Sequence, residues 1–224
     1  MMRFRTIAAV AALSVTASAS AAAQTCLGLP DLTVTRASLG AEIQFPKDAK
    51  SYSGRLGVNS QTAFGGLSVG YITLDDDLDE LDVNATTVGG DIGLERHIGT
   101  NKRIHVCPVA SLAYTSGPNI DALDLKSSTI QGGLGVAFGG SIPMTPTVSF
   151  VPFARAGLLV QRTKFEVVGE DSDTESETGG LLGLGASFRF NDIFAITPSV
   201  LIPVGFDDSD AVFSLGATIG FRRR

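Results

Sequence analysis

Apolar and polar residues alternate with period two along most of the chain, and beyond the first 23 residues no segment fits a helical spacing better. Between Arg36 and Phe45, the residues Ala37, Leu39, Ala41, Ile43 and Phe45 oppose Arg36, Ser38, Gly40, Glu42 and Gln44. Successive side chains of a strand point to opposite faces, so this segment has one apolar face and one face of polar residues and glycine. The pattern returns where Val88, Ile92 and Leu94 alternate with Thr87, Gly89, Asp91, Gly93 and Glu95. It returns again at Ile130, Leu134, Val136 and Phe138, and at Leu182, Leu184, Ala186, Phe188 and Phe190. The last segment sets Phe213, Leu215, Ala217, Ile219 and Phe221 against Ser214, Gly216, Thr218, Gly220 and Arg222. The chain is expected to be all-β.

Alternation fits a soluble sandwich as well as a lipid-facing sheet. Three features favour the second. Many strands offer ten or more residues, which suits a tilted bilayer crossing of roughly 9–11 better than the globular norm of about 5–6. The polar face is rich in Gly, Ser and Thr with interspersed charges, as in the interior of a narrow barrel. Connections also alternate, short near 60–62, 99–102, 143–146 and 191–193, longer at 75–84, 117–126 and 168–178. Those at 46–51 and 207–210 fall on the long side. The count predicts a closed antiparallel transmembrane β-barrel of ten strands, both ends on the side of the short turns, which in such barrels is periplasmic. Eight strands result if the hairpin Arg36 to Asn59 is not part of the wall. Pro108, Pro152, Pro198 and Pro203 lie inside these strands and are expected at bulges, at strand ends or where the ladder is shortened.

The first residues change the picture of where the chain goes. Arg3 and Arg5 precede an apolar run from Ile7 to Val15, followed by small residues up to Ala21, Ala22 and Ala23. That order reads as a secretory signal peptide over 1–23, too short to span a bilayer. Residues 24–35 then form a periplasmic segment and 36–224 the barrel, a single domain. With 26 Gly, two His, two Cys, no Trp and a net charge of −6, the composition is unlike a soluble enzyme, and the scattered basic residues argue against nucleic-acid binding.

Fourteen of the 23 acidic residues crowd three connections, at Asp75, Asp76, Asp77, Asp79, Glu80 and Asp82, at Glu170, Asp171, Asp173, Glu175 and Glu177, and at Asp207, Asp208 and Asp210. Divalent-cation binding, with Asp75, Asp77, Asp79, Asp171 and Asp173 as candidates, stands against solvated, mutually repelling loops. The first run lacks the Gly and distal Glu of a helix–loop–helix calcium motif, which favours solvated loops. Inward charges are expected at Arg36, Glu42, Arg55, Asp91, Glu95, Arg155, Arg189 and Arg222, either as a salt-bridge network filling the lumen or as the lining of a narrow aqueous path. Cys26 and Cys107, in a chain bound for an oxidising compartment, are expected to pair and to tie residues 24–33 into or across the periplasmic mouth. His97 and His105 fall near a short turn, facing inward. No nucleophile-elbow, zinc-protease or phosphate-loop motif occurs, so neither catalytic residues nor a cofactor are expected.

With its signal peptide, its lumen pattern and a Phe-rich final strand, the mature chain resembles the small outer-membrane β-barrel family of the OmpA membrane domain, OmpX and OmpW. The resemblance implies a location in the bacterial outer membrane and a structural, surface-interaction or narrow passive-pore role without enzymatic activity. An outer-membrane hydrolase or acyltransferase, or a secreted β-sandwich, is the alternative. Implied partners are outer-membrane lipids and lipopolysaccharide, the barrel-assembly machinery and surface ligands or small solutes, for a monomer. Family members end on an aromatic residue, whereas here Phe221 is followed by Arg222, Arg223 and Arg224.

Overall fold

The computed structural model describes Cys26, Leu29 and residues 35–47, 49–60, 62–74, 84–98, 104–120, 125–167, 172–206 and 210–222. The segment read as a signal peptide lies outside them. The strands are β1 (Thr35–Phe45), β2 (Ala49–Asn59), β3 (Ala63–Leu74), β4 (Asn84–Leu94), β5 (Arg96–Ile98), β6 (Ile104–Ile120), β7 (Leu125–Gly140), β8 (Ile142–Thr145), β9 (Val148–Val167), β10 (Asp173–Phe190), β11 (Phe194–Val204) and β12 (Val212–Arg222). All pairings are antiparallel, and β1 pairs with both β2 and β12, which closes the sheet. Because β5 prolongs β4 beside β6, and β8 prolongs β7 beside β9, the wall has ten strands. The hairpin Arg36 to Asn59 belongs to that wall. No helix among the described residues is long and apolar enough to cross a membrane.

The prolines explain the two subdivided strands. β4 pairs with β6 down to Gly93–Val109, and pairing resumes at Arg96–Val106 in unchanged register, so the gap lies opposite Pro108. Likewise β7 pairs with β9 to Gly139–Phe153 and β8 resumes at Ile142–Phe150, leaving a gap opposite Pro152. Between β10 and β11 the pairs Gly185–Ser199 and Phe188–Ile196 bracket a third gap, opposite Pro198. A proline has no N–H to donate, so the ladder opens on one side while the other side stays paired. Pro203 pairs with Leu181 on one side and lies beyond the last pair, Leu201–Val212, on the other. None of the four sits at a register shift.

At the short-turn end, Asn191 and Asp192 adopt left-handed conformations with φ of 51° and 55°, and the Ile193 amide donates to the Phe190 carbonyl at 3.1 Å. This is the geometry of a tight hairpin turn whose twist matches the strands, and Asn and Asp tolerate it better than other side-chain-bearing residues.

The long-loop end departs from expectation. Segments 117–126 and 168–178 are mostly strand: β6 runs to Ile120, β7 starts at Leu125 and β10 starts at Asp173. A stretch reading Asp-Thr-Glu-Ser-Glu-Thr has no apolar alternation to betray it, yet it pairs residue by residue with β9, from Asp173–Phe165 to Thr178–Val160. As a result β6, β7, β9 and β10 have 16 to 20 residues, against 11 or 12 in β1 to β4, β11 and β12. Along β9 the outward residues turn from Leu158 and Val160 to Arg162, Lys164 and Glu166, all exposed. The polar part of this sheet therefore extends roughly 20 Å along the strands beyond the apolar zone, at about 3.3 Å per residue.

The apolar zone is a belt around the outside. Leu67, Ile92 and Leu134 are 68–70% exposed on the outer wall, where hydrocarbon rather than water would meet them. Tyr52, Tyr71 and Tyr114, the chain's three tyrosines, face outward toward the long loops together with Phe45 and Phe213. Toward the short turns stand Phe138, Phe188, Phe190, Phe194 and Phe221, and two ring pairs, Phe150–Phe188 and Phe190–Phe194, lie 5.4 and 5.9 Å apart. Two aromatic girdles flanking an apolar band are the signature of a barrel seated in a bilayer.

Candidate functional site in the lumen

Inward positions carry the protein's buried polar chemistry, and glycines decide where bulky groups fit. Arg55 on β2 lies flat across β3 to reach Asp91 on β4, its Nε and one terminal nitrogen donating to the two carboxylate oxygens at 3.1 and 2.8 Å. The residue beneath the guanidinium is Gly66, whose register partners are Gly57 and Asp91, and a Cβ there would collide with Arg55. The same device puts Phe64 over Gly93, Phe153 over Gly185 and Arg155 over Gly183, each pair being register partners on adjacent strands. Inner-face glycine is thus the floor on which long side chains lie, so that a ten-strand lumen can hold them.

Each proline gap is bridged from inside. Beside Pro108, Glu95 is buried and one carboxylate oxygen lies 2.5 Å from Nδ1 of His105. Beside Pro152, Ser141 accepts a hydrogen bond from Arg189 at 2.6 Å. Beside Pro198, Thr197 donates to Ser187 at 3.0 Å. Side-chain hydrogen bonds here take over what the backbone ladder has lost.

Cys26 and Cys107 are disulfide-bonded with Cα atoms 6.2 Å apart, and both are fully buried. With Phe64 and Ala137 they form an apolar cluster against which Leu29, Val109 and Phe153 pack. Cys26 and Leu29 therefore lie inside the lumen. Toward the long loops, Phe206 turns inward over Gly179 and joins Leu159, Leu181, Leu201 and Val212 in a second buried cluster. Between the two lies a cavity of about 70 Å³, bordered by Glu42, Arg55, Arg155, Ser199, Ser214 and Leu29 among others. Arg155 interacts electrostatically with Glu42 across it. A space of this size holds a few water molecules.

A neutral row completes the interior. Thr87, Thr115, Thr129 and Thr163 are register partners across β4, β6, β7 and β9, with hydroxyl pairs at 2.9 and 3.1 Å.

Of the expected lumen charges, Glu42, Arg55, Asp91, Glu95, Arg155 and Arg189 point inward. Arg36 is exposed at the bulge between Thr35 and Ala37, where β1 begins. Arg222 pairs with Thr35 through the backbone, and its side chain lies outside the described residues. His105 is buried, whereas His97 is exposed at the rim. The cation candidates Asp75, Asp77, Asp79 and Asp171 lie outside the described residues. Asp173 is on β10, where its carboxylate accepts from the Thr174 amide. Among the described residues no three or more His, Cys, Asp or Glu groups converge to hold a metal ion. The glycine floors, the proline bridges and the threonine row escaped the sequence reading, because each depends on cross-strand register.

Residues 6–221 match the outer membrane protein beta-barrel domain family. The chain belongs to that family. Its barrel fold and placement in the bacterial outer membrane follow from membership. Among solved outer-membrane barrels it is similar to the N-terminal β-barrel domain of Pseudomonas aeruginosa OprF, at 14% identity over 84% of this chain and 99% of that one, with a TM-score of 0.39. It is similar also to the translocator domain of the autotransporter NalP from Neisseria meningitidis, at 13% identity, 85% and 88% coverage and a TM-score of 0.48. A third is Ail, the attachment invasion locus protein of Yersinia pestis, at 16% identity, 85% and 97% coverage and a TM-score of 0.33. No curated protein matches the chain.

Proposed function

We propose that this outer-membrane barrel is a sealed, non-enzymatic scaffold that holds the tall sheet of β6, β7, β9 and β10 at the cell surface for interaction with external molecules. The observation that carries this reading is the lumen, in which two apolar clusters flank a charged layer and a cavity of about 70 Å³. Short turns face the periplasm and long connections the exterior in barrels of this kind, which orients the raised sheet outward and the disulfide inward. Cleavage of residues 1–23 by signal peptidase accompanies export in this reading. Lipopolysaccharide is the first molecule such a sheet would meet, and Arg162, Lys164 and Lys126 give its outer side cationic groups.

Surface display is tested with Ser176→Cys in a chain whose own cysteines are changed to serine. A membrane-impermeant maleimide added to intact cells is expected to label it. Labelling that appears only after the outer membrane is opened, in protein that has assembled as a barrel, would overturn the orientation.

A further inference from the structure

We propose that His97 and His105 form a site for a divalent transition-metal ion at the short-turn rim, with Glu95 as the positioning residue behind one of them. The two histidines are direct register partners on β5 and β6, and their ring centroids lie 4.6 Å apart, edge to face. Two imidazoles sharing one ion through a nitrogen each, at metal–nitrogen distances of about 2.0–2.1 Å, have centroids on the order of 5 Å apart. The exposed His97 ring, turned out of this edge-to-face contact, would bring a nitrogen of each ring to one ion.

The second observation is the carboxylate. Glu95 sits in the gap opened by Pro108, buried, and takes Nδ1 of His105 as its partner at 2.5 Å. A carboxylate accepting from Nδ1–H fixes the tautomer that leaves a lone pair on Nε2 and raises its basicity, which is how histidine ligands are commonly set up for metals. Neither the hydrogen bond nor the in-register pair requires the other, yet both prepare the same ring. Since Glu95 faces the far nitrogen, it is not a ligand, which agrees with the absence of a three-group cluster among the described residues. Two imidazole nitrogens completed by water select copper(II) above nickel and zinc. The exposure of His97 opens the site to the aqueous side.

The test uses the full-length oxidised protein, refolded in detergent, with copper(II) alone as the probe and excess calcium present to occupy the acidic loops. One equivalent is expected to bind, with an electron paramagnetic resonance spectrum showing two coordinated nitrogens. His97→Ala, at an exposed rim position that leaves heat-modifiable gel mobility unchanged, is expected to remove one nitrogen and weaken binding at least tenfold. Glu95→Gln is expected to weaken binding about 10–100-fold while both nitrogens persist at saturation. No saturable binding, or binding without coordinated nitrogen that survives His97→Ala, would overturn the proposal.

Discussion

Near the short turns, three ladders are open opposite Pro108, Pro152 and Pro198, whereas toward the long connections β7, β9 and β10 stay paired without a gap into the polar sheet. The first end is held by what points inward: Glu95 with His105, Ser141 with Arg189, Thr197 with Ser187, and the disulfide to Cys26. The second end is held by an unbroken backbone ladder above the buried cluster of Leu159, Leu181, Leu201, Phe206 and Val212, with a row of threonine hydroxyls adding little more than mutual satisfaction. Where the ladder is incomplete, side chains and a covalent tie carry the wall. Where it is complete, the chain is free to extend beyond the lipid with a sequence chosen for its surface.

The largest expected effect falls at the interrupted end. Replacing Cys26 and Cys107 by serine frees a link spanning 81 residues, which the chain-entropy model values at about 4–5 kcal/mol. Urea titration followed by gel mobility should show the corresponding fall in midpoint for the barrel, and an unchanged midpoint would remove the tie from the comparison. Next comes Asp91→Asn, which leaves the Arg55 guanidinium buried without its counter-ion and should cost about 3 kcal/mol or more in the same assay.

A matched pair separates the two ends most cleanly. Ser141→Ala deprives Arg189 of a hydrogen bond beside the Pro152 gap and should cost about 2 kcal/mol. Thr129→Ala removes a neutral hydroxyl pair where the ladder is intact and should cost about 1 kcal/mol or less. Equal costs, or a reversed order, would break the distinction drawn between them.

Much of the barrel was legible because a wall with one apolar face leaves a period-two record in every strand, down to the ten-strand count and the inward set of Arg55, Asp91, Glu95 and Arg155. The raised sheet was not, because Asp173 to Thr178 is wetted on both sides and has no reason to alternate. The prolines were visible as interruptions, but sequence gives no register, and register alone shows that each opens one neighbour and spares the other. For the same reason the many inner glycines could be counted without revealing that Gly66 lies under Arg55 or Gly185 under Phe153.

The central claim, that the barrel is sealed by its own interior, is tested most directly by planar-bilayer recording of the purified oxidised protein. The filled lumen predicts a flat baseline with no discrete conductance steps over long recordings at applied voltage. Reproducible unitary steps from correctly inserted, disulfide-intact protein would contradict it.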